Sequence, residues 1–171
     1  MDRLWSPWRS NYIESFSKKN KDDECVFCKA ISEDIQSDDS LIIYKGEKVF
    51  VMLNLFPYNN GHLMIIPYRH ISDPLLLTEK ETTEIMKLNK MVMAAITKVM
   101  NPQGFNFGAN FGKAAGAGIH EHIHFHIVPR WMGDTNFMPA LGEVKIISQD
   151  LLQTKKNLME AISKLRLMQE K

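Results

Sequence analysis

The chain has 171 residues, 44% of them hydrophobic and 24% charged, which is enough for one domain with a buried core and ordinary for a globular protein. A formal net charge of +1 argues against the basic bias of a nucleic-acid or anionic-membrane binder. Met1-Asp2-Arg3-Leu4-Trp5 begins no signal peptide, no apolar run reaches the roughly 20 residues of a membrane span, and two cysteines make no disulfide framework, so a cytoplasmic protein is expected.

Residues 1–24 read as an N-terminal arm. Its aromatic residues Trp5, Trp8 and Tyr12 are expected to dock on the body or on a second subunit, and the polar run from Ser17 to Glu24 to act as a link. Cys25-Val26-Phe27-Cys28 opens a short helical or knuckle-like segment, at the start of a domain spanning 25–147. Leu41 to Lys45 and Lys48 to Asn54 predict two strands around a tight Gly46-Glu47 turn. Phe56-Pro57-Tyr58-Asn59-Asn60-Gly61 is dense in turn residues and leads into a third strand from His62 to Pro67. Thr78-x-x-Glu81 has the form of a capping box and opens the longest helix, to about Met100, where Asn101-Pro102 stops it. That helix carries one apolar stripe of Ile85, Leu88, Val92, Ala95 and Val99, and a second of Met86, Met93, Ile96 and Met100. One stripe suffices to pack on a sheet, so the second predicts contact with another subunit. Gly104 to Gly112 alternates bulky with small or polar residues and predicts a fourth strand. A last helix, in the segment 148–171, is expected from about Gln149 with Ser148 as its N-cap.

Between these lies His120-Glu121-His122-Ile123-His124-Phe125-His126-Ile127-Val128, with four of the six histidines at alternate positions. As a fifth strand it places the histidines on one face, about 6.6 Å apart, and Ile123, Phe125 and Ile127 on the other, toward a core. A row of imidazoles serves metal ligation or nucleophilic and acid–base chemistry, and spacing alone does not separate the two. The preceding loop, Gly112 to Ile119, is built of small residues. Backbone N–H groups of such a loop approach phosphate oxygens closely, which favours an anionic phosphate substrate beside the imidazoles.

His122-Ile123-His124-Phe125-His126-Ile127-Val128 resembles the His-φ-His-φ-His-φ-φ signature of the histidine triad family of nucleotide hydrolases and transferases. Asn54, Gly61-His62-Leu63, Pro67 and Asn110-x-Gly112 also fall where that family places its features. Trp5-x-Pro7-Trp8-Arg9, Asn54-Leu55-Phe56-Pro57-Tyr58-Asn59 and Pro129-Arg130-Trp131-x-Gly133-Asp134-Thr135-Asn136-Phe137 resemble its bacterial diadenosine tetraphosphate phosphorylase branch. The resemblance implies an α+β fold with a five-stranded antiparallel sheet, one long helix and a C-terminal helix, and a homodimer whose sheets align. It implies His124 as nucleophile toward the α-phosphorus of a dinucleoside polyphosphate, with inorganic phosphate or water as acceptor. His122 and His126 would hold non-bridging oxygens or protonate the leaving group, and His62 would support them.

Crowding of the imidazoles is expected to keep His124 neutral. Asn54, Leu55, Phe56, Pro57, Asn60 and Gly61 would line the nucleoside pocket. Asn106, Asn110, Gly116, Ala117, Gly118 and Ile119 would contact ribose and phosphates. Many members carry an acidic residue near the position of Asn54, and His120, extra to the signature, reads as a loop histidine near the mouth. Cys25-x-x-Cys28 alone is half a zinc site or a redox pair. The resemblance implies its completion by His70 and His122 as a structural zinc site, with no organic cofactor. His122 then carries two assignments, ligand and catalyst. Rival readings are a nucleoside phosphoramidate hydrolase, a nucleotide-sensing module and, least favoured, a zinc-dependent hydrolase.

Overall fold

The computed structural model describes residues 25–134 and 150–169, so the N-terminal arm and the segment 135–149 lie outside the described residues. A single turn of helix, α1 (Val26–Ile31), precedes β1 (Ile42–Lys45), β2 (Val49–Leu53) and β3 (Leu63–Pro67). The long helix α2 (Glu79–Met100) follows, then β4 (Gly104–Gly108), β5 (Phe125–Arg130) and the C-terminal helix α3 (Leu151–Gln169). The five strands form one antiparallel sheet in the order β1-β2-β3-β5-β4, the α+β architecture expected.

Strand alternation divides the core between the two faces of the sheet. Odd-numbered Val49, Val51, Leu53, Leu63, Ile65 and Ile127 pack with Ile85, Leu88, Val92 and Ala95 of α2. Even-numbered Ile42, Phe50, Met64 and Ile66 pack instead with Phe27 and Ala30 of α1. Met64 pairs with His126 across β3 and β5, so the even face carries the site.

The capping box forms as predicted: Thr78 Oγ1 accepts from the Glu81 amide while the Glu81 carboxylate accepts from the Thr78 amide. Asn101 adopts φ 45° and closes the helix C-terminus, its amide donating to the Thr97 carbonyl. The second apolar stripe of α2 meets its own chain in part. Ile96 is buried in the same cluster as Leu158, Ala161 and Ile162 of α3, and only Met86 of that stripe stays exposed. The two stripes therefore do not by themselves require a second subunit. At the start of α3, Asp150 acts as the cap, with Oδ1 accepting from the Gln153 amide and its carbonyl from Thr154. Ser148, expected there, lies outside the described residues.

Candidate active site

The strand expected to carry all four histidines is shorter than its sequence pattern. β5 begins at Phe125, so only His126 stands in the sheet, and His120, His122 and His124 belong to the segment leading in. Pairing with β3 covers only Leu63 to Ile65 opposite Ile127 to Phe125, and before it the Ile123 amide turns to the Ile71 carbonyl. The alternation survives this loss of ladder. Ile123 and Ile127 are buried, and the rings of His124 and His126 stand edge to face at 4.9 Å.

Hydrogen bonds to groups that can only donate or only accept assign the imidazole protons. His124 Nδ1 lies 2.9 Å from the His122 carbonyl, so Nδ1 carries the proton and Nε2 keeps its lone pair. The Tyr58 amide donates to His62 Nδ1 at 3.0 Å, so His62 is protonated on Nε2, which donates to His126 Nδ1 at 2.9 Å. The proton of a neutral His126 is thereby placed on Nε2. His124 thus presents a lone pair and His126 a proton, on adjacent rings.

Burial pushes the His124 imidazole below its ordinary range, partly opposed by its bond to the His122 carbonyl. Burial also dominates at His122, with the neighbouring imidazoles His70 and His124 adding a smaller push in the same direction. Desolvation rather than crowding therefore keeps His124 neutral. Phe27, between the two cysteines, supplies much of that dry wall. It is 2% exposed, and its ring lies 5.1 Å from His124 and 5.4 Å from His122.

Cys25, Cys28, His70 and His122 converge, with one ligand atom from each all within 4.8 Å of one another. His122 Nδ1 lies 3.4 Å from Cys25 Sγ and 3.7 Å from Cys28 Sγ, and His70 Nδ1 lies 3.3 Å from Cys28 Sγ. Tetrahedral zinc with ordinary bond lengths sets sulfur and nitrogen about 3.6 Å apart, so these residues fit the ion. His122 Nε2 donates to the Pro67 carbonyl at 2.9 Å, which leaves the Nδ1 lone pair facing the cysteines. Both nitrogens of His122 are occupied by this arrangement.

Elsewhere the candidate residues are spread around the histidines. Asn54 is buried, and its Oδ1 accepts from the Phe56 amide, closing the turn that opens the loop to His62. Leu55 and Phe56 are exposed, while Pro57 and Asn60 are half-buried. Gly61 has φ +71°, and a Cβ there would meet Met100 Sδ at 2.7 Å. Asn106 sits on β4 opposite Val128, its Oδ1 accepting from Arg130 Nη1. Asn110, Ala117 and Gly118 are half-buried, Gly116 is left-handed at φ 85°, and Ile119 packs on the α1 side of the sheet. His120 is half-buried in the same loop.

Comparison with known proteins agrees with this geometry. A family profile described as HIT domain matches residues 36–132, more than half of the chain. The chain belongs to the histidine triad (HIT) family. It is 38% identical over 159 residues to the AP-4-A phosphorylase of Mycobacterium tuberculosis, covering 91% of this chain and 82% of that protein. Among solved HIT structures, a Zn-bound histidine triad family protein from Mycobacterium smegmatis superposes with a TM-score of 0.67 at 26% identity, over 85% of this chain and 97% of that one. A histidine triad nucleotide-binding protein from Sulfolobus tokodaii gives a TM-score of 0.66 at 28% identity, over 83% and 94%.

Three contributors to this HIT site escape sequence reasoning. Phe27 packs on two imidazoles. Tyr58 gives its amide to His62 and sets its ring, tilted, 4.7 Å from that of His62 and 5.8 Å from that of His126. Asp134 gathers the Asn59 side chain, Arg130 and the Trp131 amide. The signals were present: an aromatic between paired cysteines, the turn residues between Pro57 and Asn60, and the acidic residue of the motif after the triad.

Proposed function

We propose that this chain is an enzyme that cleaves dinucleoside polyphosphates in the manner of a diadenosine tetraphosphate phosphorylase, through a covalent nucleotidyl-histidine intermediate on His124. The observation that carries the reading is the complementary protonation of two adjacent rings, a lone pair on His124 Nε2 and a proton on His126 Nε2. The His124 lone pair attacks the α-phosphorus, the P–N bond forms, and the P–O bond to the leaving polyphosphate breaks. Its oxygen takes the proton of His126. The His122 carbonyl, already accepting from His124 Nδ1, stabilises the positive charge that develops on the ring. In the second half His126, now bearing the lone pair, takes the proton of the incoming acceptor, which displaces His124. From diadenosine tetraphosphate the first half releases ATP; phosphate as acceptor gives ADP and water gives AMP. The 38% identity to a protein named for the phosphorylase favours phosphate.

In this reading Asn54 to Pro57, Asn60 and Gly61 border the nucleoside, and Asn106, Asn110 and the Gly116–Ile119 loop meet ribose and phosphates. Cys25, Cys28, His70 and His122 would hold a structural zinc that ties α1 to the sheet. Four protein donors leave no position for an activated water, so the ion lies outside the chemical steps and His122 acts as ligand. A homodimer is part of the proposal. Its support is the outer strand β4, on which Phe107 is 38% exposed and just past which Phe111 is 42% exposed. A cytoplasmic location accords with a nucleotide substrate and thiolate ligands.

The test is product analysis with diadenosine tetraphosphate, with and without inorganic phosphate. ADP plus ATP only with phosphate is the expected outcome. AMP plus ATP in both conditions replaces phosphorolysis by hydrolysis at the same nucleophile. Absence of turnover in both, or full turnover by His124→Asn, overturns the proposal.

A further inference from the structure

The motif that follows the triad, Pro129-Arg130-Trp131-x-Gly133-Asp134, has no part in the steps above. Its side chains nevertheless reach the loop that sets the His62–His126 pair. Arg130 grips Asp134 with two parallel bonds, Nε to Oδ2 at 2.6 Å and Nη2 to Oδ1 at 2.8 Å, and anchors to β4 through Asn106. Asp134 Oδ2 also accepts from the Trp131 amide and, at 2.8 Å, from Asn59 Nδ2. Asn59 Nδ2 donates as well to the Pro129 carbonyl at 3.0 Å, pinning the loop to the end of β5. One residue earlier the Tyr58 amide donates to His62 Nδ1, and the Asn59 carbonyl accepts from the His62 amide at 3.2 Å.

We propose that Asp134, held by Arg130 and acting through Asn59, is a positioning residue that fixes the tautomers of His62 and His126. This role rests on the part given to His126 in the proposed function. A neutral imidazole exchanges the proton between its nitrogens readily, so one fixed external donor decides the tautomer. Here that donor is the Tyr58 amide. It is aimed by a turn of four residues whose second residue is tied down through its side chain. Loosen Asn59, and His62 loses the bond that places its proton on Nε2. His126 then loses the bond that keeps its own proton on the nitrogen used toward the leaving oxygen. The carboxylate touches no reacting atom; it acts along the path Asp134, Asn59, Tyr58 amide, His62, His126.

The test uses Asn59→Asp, which turns the donor into a carboxylate facing Asp134, and Asp134→Asn, which keeps the side-chain shape. Long-range proton–nitrogen NMR of the labelled, substrate-free protein reads the tautomers of His62 and His126. Both variants should shift His62 and His126 away from the Nε2-protonated form of the parent. They should lower kcat at least tenfold, within the range of general acid catalysis, with KM changed less than about threefold. Asp134→Asn carries the test if Asn59→Asp fails to fold. Unchanged tautomers in a folded variant overturn the proposal, as does a loss confined to KM. The NMR measurement needs no substrate, so failure of the proposed activity is told apart from failure of this clamp.

Discussion

Replacing Glu81 tests how the helix start and the Arg69-His70 segment are held together. Glu81 is 2% exposed, and its carboxylate accepts from Arg69 Nε at 2.8 Å, Arg69 Nη2 at 2.7 Å, and the amide and hydroxyl of Thr78 at 2.8 Å each. The Arg69 bonds, first, and those of Thr78 hold its carboxyl down at about 2, against an ordinary 4.5. A depressed acid stabilises the fold above its ordinary range, and the stabilisation fades as pH falls from 4.5 toward 2. The shift corresponds to about 3 kcal/mol. A count of interactions agrees: about 1 kcal/mol for the cap, and about 1 for each of two charged bonds once water at the half-exposed Arg69 trims them.

Glu81→Gln keeps an acceptor for Thr78 and loses the charge, so it should cost about 2 kcal/mol at pH 7; Glu81→Ala should cost about 3. Urea unfolding from pH 7 to pH 3 is the assay. The gap between parent and Glu81→Gln should stay constant down to about pH 4.5 and then close by about 1.4 kcal/mol per pH unit. A gap that persists undiminished at pH 3 would refute the reasoning. Arg69 precedes His70, so the same variants should also weaken metal retention.

Phe27→Ala should cost about 3–5 kcal/mol in urea unfolding, the usual loss for a buried aromatic, and a loss below about 1 would place Phe27 outside the core. The proposed zinc site predicts about one bound zinc per chain by metal analysis, and Cys28→Ser should abolish it and lower the Tm; full zinc content in that variant would remove Cys28 from the site. His124→Asn should abolish the acid-labile adenylate trapped by rapid quenching, and a trapped adenylate in that variant would move the nucleophile elsewhere. Phe107→Asp, a charge on the outer strand, should shift the proposed dimer toward monomer in sedimentation, and no change would exclude β4 from its interface.

Local patterns in this chain were legible because their causes lie within a few residues. The capping box needs only Thr78 and Glu81, three apart, and the alternation from His122 to Ile127 needs only an extended backbone. The five-stranded antiparallel sheet and the histidine triad followed from such patterns together with the family signature, while the strand order came from the structure. The ladder of β5 was not legible, because its start depends on where pairing with β3 stops, at Ile65 opposite Phe125, and the Ile123 amide turns to the Ile71 carbonyl instead. The partner of the second helical stripe was not legible either: an apolar stripe demands cover, and only packing shows that α3 of the same chain supplies part of it. Most of all, the positions of the imidazole protons belong to the tertiary structure. Those of His122 and His126 rest on bonds between residues far apart in sequence, Pro67 with His122 and His62 with His126, whereas those of His62 and His124 are set nearby, by the Tyr58 amide and the His122 carbonyl. Which residues could do the chemistry is written in their order along the chain; which nitrogen of His122 and of His126 holds the proton is decided by the distant group that folding brings to the other side of the ring.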